Sequence, residues 1–221
     1  MADPTVQEEQ ASFDFVTKEV EKEEKPKETL TLYPVALLLG TYIACQNEKG
    51  IYLIDQHAAE ERINYEKNMA ALRSKKIYST ELLVPIMIEL SKSEFLIVKE
   101  KLEYLSSLGF KVEEFGINTL KFTEHPTWLR EGYEEESIKK IIDLIVITQN
   151  DFDVVKFNES IAITLACKLS IKANYEISLP EMEHIISELL NCDNPYNCPH
   201  GRPTIISFSN YELERMFKRV M

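Results

Sequence analysis

The chain has 221 residues, with 25 lysines and arginines against 37 aspartates and glutamates, a formal net charge of −12. That balance excludes a protein whose main task is to coat a nucleic-acid backbone, because phosphate binding draws on Lys and Arg, and it argues against an anionic membrane surface as partner. With 44% hydrophobic residues the chain can bury a core, yet its longest apolar stretch, about Val35 to Leu39, is far short of the roughly 20 residues of a membrane span.

Met1 to about Thr31 carries nine acids and four lysines, with no Gly turn and no helical apolar stripe. Residues 1–31 are therefore expected to form a disordered acidic linker. A basic stretch followed by an apolar one is absent there, so no secretory signal is expected. The four cysteines, Cys45, Cys167, Cys192 and Cys198, are scattered and do not suggest a disulfide framework. They point to a reducing, cytoplasmic compartment that leaves thiolates able to bind metal.

From Leu32 the pattern becomes structured. The apolar runs Val35–Cys45 and Ile51–Ile54, separated by the turn-rich Gln46–Gly50, predict a hairpin, with Asp55 ending its second strand. His57 to about Arg73 predicts a helix, because Ala58, Ala59, Ile63, Met69 and Leu72 supply apolar positions and neither Gly nor Pro interrupts. Leu82–Leu90 predicts a strand that Pro85 confines to an edge. Ser93–Leu108 predicts an amphipathic helix with Ser93 as N-cap, a stripe of Phe95, Val98, Leu102 and Leu105, and Gly109 as stop. Lys111–Thr123 alternates around Gly116 as a second hairpin. Helices are expected at Ile138–Ile147, Val155–Lys168 and Leu179–Leu190, the last with Pro180 in its first turn. A strand at Thr204–Phe208 and a helix at Tyr211–Val220 close the chain. The fold class is α+β, a mixed sheet with helices, and a mid-chain segment forms a smaller unit.

Two runs carry chemistry. In Asp55-Gln56-His57-Ala58-Ala59-Glu60-Glu61, Asp55 sits at a strand end, and His57 and Glu61 share one helix face a turn apart. Rigid elements of this kind aim metal ligands well; the same residues also fit a helix start capped by Asp55 with a solvated charged face. In Cys198-Pro199-His200 the spacing lets thiolate and imidazole converge on one ion, as zinc prefers, although a structural loop with a half-buried Cys fits equally. Cys167 is either a further ligand or a small apolar residue on a buried helix face. Cys45, Cys192, His125 and His184 read as packing or solvent-facing residues. Lys168, Lys172 and Arg202 adjoin these runs and are candidate phosphate contacts, or ordinary surface. A P-loop, a Gly-x-Gly-x-x-Gly fingerprint, a Gly-x-Ser-x-Gly elbow and a His-Glu-x-x-His pair are all absent.

Three segments together resemble a known family. Asp55-Gln56-His57-Ala58-x-x-Glu61-x-x-x-x-Glu66 is one. Ala166-Cys167-Lys168, leading into Ser170-Ile171-Lys172-Ala173, is the second, and Cys198-Pro199-His200-Gly201-Arg202-Pro203 is the third. In the same order, they are similar to motifs in the C-terminal domain of the bacterial, endonuclease-type MutL mismatch-repair proteins. The resemblance runs from Leu32 to the C-terminus. It implies a metal-dependent endonuclease that nicks one strand of duplex DNA. Asp55, His57, Glu61, Glu66, Cys167, Cys198 and His200 match ligand positions, with Asp55 and Glu61 catalytic.

The resemblance also implies a homodimer. Residues 32–78 and 157–221 then form a dimerisation subdomain with the metal site, and 79–156 an inserted external, regulatory subdomain. The implied partners are duplex DNA, bound weakly and with help, the mismatch-recognition protein MutS and the replication sliding clamp, with no membrane. The family's Gln-led clamp-binding segment corresponds to Thr80-Glu81-Leu82-Leu83-Val84-Pro85, which lacks the leading Gln but still suits edge docking. The ligand types imply a mixed site, with Zn²⁺ structural or regulatory at Cys198, His200 and His57, and Mn²⁺ or Mg²⁺ catalytic at Asp55. The alternative is a non-catalytic, zinc-stabilised dimerisation and partner-docking module; Asp55 favours the enzyme, since a structural Cys/His zinc site does not need it.

Overall fold

The computed structural model describes residues 30–74, 76–149, 152–169 and 176–219. The acidic stretch up to residue 29, expected to be a linker, lies outside them. The first sheet is built from β1 (Tyr33–Leu38), β2 (Tyr42–Asn47), β3 (Gly50–Asp55) and β7 (Ile205–Ser209), in the order β1-β2-β3-β7. The apolar run Val35–Cys45 is two strands and not one. Leu39 and Gly40 take φ values of 52° and 62°, and Thr41 N–H closes the turn on Leu38 O at 3.0 Å. Two successive positive φ values make the hairpin turn whose twist matches that of its strands. β3 and β7 approach closely at Gly50, where a Cβ would stand 2.2 Å from Phe208 O.

Helix α1 (Gln56–Arg73) leaves directly from the end of β3. The chain then builds a second sheet from β4 (Ser79–Glu89), β5 (Lys111–Glu114) and β6 (Thr119–Pro126), in the order β4-β6-β5. β4 is an edge strand, as Pro85 requires, and its register against β6 breaks between Glu81 and Ile86. The helix expected over Ser93–Leu108 is two helices, α2 (Lys92–Lys99) and α3 (Leu102–Ser107). Phe95 and Val98 of α2, and Leu105 and Leu108 in and after α3, are all buried in the core. The N-cap is Ser91, in a capping box with Glu94, and not Ser93.

Helix α4 (Glu134–Ile147) starts a turn earlier than expected, and α5 (Val154–Leu169), α6 (Leu179–Leu190) and α7 (Asn210–Met216) complete the order. α7 stops short of the expected Val220. The α+β class holds; every strand pairing described is antiparallel, so the expected mixed sheet is replaced by two antiparallel ones. One large core joins Ile88, Leu120 and Phe122 of the second sheet to α2, α3, α4, the C-terminal half of α1 and Phe157, Ile161 and Leu165 of α5. Among the described residues no helix is long and apolar enough to cross a membrane.

Candidate metal centre

The site begins where β3 stops. The backbone N–H of Asp55 donates to Thr204 O at 3.0 Å, and its carboxylate accepts the N–H of Ala58 at 3.0 Å. This caps α1 and puts an anion at the positive end of the helix. His57 and Glu61 then follow on one face, with His57 Nε2 3.2 Å from Glu61 Oε1. The Glu61 carboxylate is fully buried, which is costly unless its charge is met by partners.

The opposite wall is the segment after α6. Cys198 N–H donates to Arg202 O at 2.8 Å and Gly201 N–H to Cys198 O at 2.9 Å. Gly201 takes φ 83° in this turn, a conformation that side chains disfavour. Asn197 and Pro203 pair across the base, and buried Thr204 donates its hydroxyl to Pro195 O. The knuckle so formed brings His200 Nδ1 to 3.3 Å from Glu61 Oε2 and Arg202 Nη2 to 3.1 and 2.9 Å from the two Glu61 oxygens. Cys198 and, from α5, Cys167 bring their thiols to the same carboxylate. Burial alone would push the Glu61 carboxyl up. The Arg202 guanidinium, then the Cys167 and Cys198 thiols, then His57 outweigh that, and it ends below the usual carboxylate range.

One donor atom each from Glu61, Cys198 and His200 lie within 4.8 Å of one another. An oxygen, a sulfur and a nitrogen so gathered are the donor set that a zinc-class ion takes. Of the residues singled out from the sequence, His57, Glu61, Cys167, Cys198, His200 and Arg202 meet at this point. Cys167 is exposed on α5 and is not a packing residue on a buried face. Cys45 and Cys192 are buried, and burial pushes their thiols up to about 11 and about 12.

Two further expected ligands also accept backbone hydrogen bonds. The Asp55 carboxylate caps the helix, and the Glu66 carboxylate accepts the backbone N–H groups of Asp193 at 2.7 Å and Asn194 at 3.2 Å. The Lys168 side chain and Lys172 lie outside the described residues. Thr80–Pro85 belongs to β4, in the second sheet. Sequence reasoning missed Arg62, which is 9% exposed and donates its Nε to Asn197 O at 2.6 Å. The available signal was that α1 carries charged residues on every side, so a helix buried against neighbours must bury some of them.

A family model described as the MutL C terminal dimerisation domain matches residues 35–177. The chain belongs to that family. Among curated proteins, the MutL C-terminal domain described here is similar to proteins named DNA mismatch repair protein MutL. That of Shouchella clausii is 47% identical over 190 residues, 86% of this chain and 29% of the relative. That of Bacillus thuringiensis subsp. konkukian is 43% identical over 216 residues, covering 94% of this chain and 33% of the relative. That of Listeria monocytogenes is 42% identical over 205 residues, covering 92% and 34%. The chain thus spans about a third of the length of the relatives it matches.

Proposed function

We propose that this MutL C-terminal domain acts in mismatch repair as a metal-dependent endonuclease, nicking one strand of duplex DNA. The observation that carries the reading is the buried Glu61 carboxylate, held ionised where Cys198 and His200 offer sulfur and nitrogen donors within 4.8 Å. His57, Glu61, Cys167, Cys198 and His200 are the proposed ligands, Zn²⁺ their structural or regulatory ion, and Asp55 with Glu61 the pair for a catalytic Mn²⁺ or Mg²⁺. Bound there, divalent ions supply the activated water and the charge neutralisation that phosphodiester hydrolysis needs.

The chain's own groups do the rest. The donors come from a helix, a second helix and a turn, so their directions are fixed before anything binds. Arg202, 55% exposed yet anchored on Glu61, presents a cation at the mouth of the site, where it suits a phosphate; Lys168 and Lys172 are proposed to extend that contact.

The homodimer is proposed to form on the outer face of the first sheet. Leu38, Tyr42, Ile51 and Ile206 are exposed there, and Ala44 and Leu53 half-exposed between them. A contiguous apolar face of this kind is a common interaction site. Residues 32–78 and 157–221 then act as the dimerisation subdomain and 79–156 as the inserted regulatory one. In the latter, Thr80–Pro85 is the proposed dock for the replication sliding clamp. Leu83 and Val84 are exposed on the edge strand, above a groove of about 620 Å³ lined by Leu82, His125 and Leu129. Duplex DNA is held weakly and through partners, MutS among them, in the cytoplasm.

A second reading, a zinc-stabilised dimerisation and docking module without nuclease activity, is favoured by one observation: Asp55 already serves as the cap of α1. Nicking of supercoiled plasmid in Mn²⁺ decides between them. Asn caps a helix as well as Asp, so Asp55→Asn keeps the fold and removes the charge. The enzyme reading expects a loss of at least about 10²-fold in nicking, from several kcal/mol of lost ion stabilisation. A variant that nicks like the parent sinks the catalytic assignment, and a parent that binds zinc and never nicks supports the module.

A further inference from the structure

The segment that carries Cys198 and His200 has little apolar anchorage. Between Asp193 and Pro203 only Cys198 is buried. Its other fixings are polar, and they converge on one face of α1. The Glu66 carboxylate takes the N–H groups of Asp193 and Asn194, one on each oxygen, at 2.7 and 3.2 Å. One turn earlier, Arg62 donates its Nε to Asn197 O at 2.6 Å, places Nη1 3.5 Å from Glu66 and stacks its guanidinium 5.2 Å over the Tyr65 ring. Arg62 has no other role in the site, and as a 9% exposed cation it is far too buried for an ordinary surface residue.

We propose that Arg62 and Glu66 are positioning residues: an ion pair on α1 that grips the ligand-bearing loop at 193–194 and at 197, and so sets Cys198 and His200 against Glu61. The proposal rests on the metal-site reading above and gives Glu66 a loop-holding role in place of a ligand role. Glu61, Arg62 and Glu66 fall within two turns of one helix, so the ligand and both grips move as one body. Among the described residues the donors gathered within 4.8 Å are Glu61, Cys198 and His200, and Glu66 is not with them. Groups that orient ligands from behind usually matter to metal affinity almost as much as the ligands do.

Cobalt titration of the full chain, followed by the thiolate-to-cobalt charge-transfer and d–d bands, tests this. Glu66→Gln and Arg62→Ala are each expected to weaken cobalt binding by about 10- to 100-fold. At saturation the bands keep the parent's energies and intensities, because the ligands are unchanged. The double variant loses no more than the weaker single one, since the pair acts as a unit. Amide hydrogen exchange at Asp193 and Asn194 is faster in Glu66→Gln, and Arg62→Lys recovers part of the affinity. Lys139→Ala, a distant surface change, binds like the parent.

Two results overturn the proposal: parent-like affinity in both single variants, or d–d bands altered at saturation by Glu66→Gln and not by Arg62→Ala, which would make Glu66 a ligand. If Arg62→Ala does not fold, the near-isosteric Glu66→Gln carries the test. A parent chain that takes up no cobalt overturns the metal reading itself, and that failure is read from the parent alone.

Discussion

The two sheets place their apolar residues in opposite ways. Of the twelve largest fully buried side chains described, nine belong to the core that joins the second sheet to α2, α3, α4 and α5. The first sheet contributes Ile43 and Ile54, and α6 contributes Leu189. On the other face of the first sheet Leu38, Tyr42, Ile51 and Ile206 are exposed. The second sheet packs its apolar residues mostly against its own chain, and its largest exposure is at the bulged edge, Leu83 and Val84, with Met87 less exposed on the same strand. The contrast teaches that one half folds inward, whereas the other leaves an apolar face open, the face proposed above for the dimer.

Breaking the face is expected to have the largest effect. Ile206→Asp should weaken self-association by at least about 10²-fold, because a carboxylate in an apolar interface strands its charge on both sides of a two-fold axis. Sedimentation across a concentration series reads this, and an unchanged dimer would move the interface elsewhere. Charging the edge is the matching test on the second sheet. Leu83→Asp should cost about 10-fold or more in clamp capture and leave the dimer intact, so that loss of both together would erase the distinction between face and edge. The smallest effect is local to the first hairpin. Leu39→Asn replaces a strained left-handed leucine with a residue suited to that turn, and denaturant unfolding should show a gain of up to about 1 kcal/mol.

How far these features were legible depended on whether the deciding interaction was local. The strand ending at Asp55, the helix after it and the edge position imposed by Pro85 follow from capping, apolar spacing and a missing N–H, all written within a few residues. The Leu39–Gly40 turn was hidden because leucine there is apolar and offers no turn signal. The break after Lys99 was hidden because no Gly or Pro marks it. At the site, His57 and Glu61 could be paired from helical spacing. His200 lies 139 residues from Glu61, and spacing alone does not join residues so far apart; the family resemblance did. Arg62 and Glu66 were obscured by their own pattern: oppositely charged residues four apart on a helix normally read as a solvated pair, and here both are turned toward a backbone.

The burial of Glu61 also constrains how this sequence can drift. A fully enclosed carboxylate is tolerable only while its surrounding donors persist, and removing one partner from a buried charge costs far more than replacing the group as a whole. Arg202, His57, Cys167 and Cys198 are therefore not independently variable. A neutral path of single substitutions out of the site runs through a stranded charge at nearly every step. Change there is expected to come in blocks, with the acid lost together with its ring, so that descendants either keep the whole constellation or discard it.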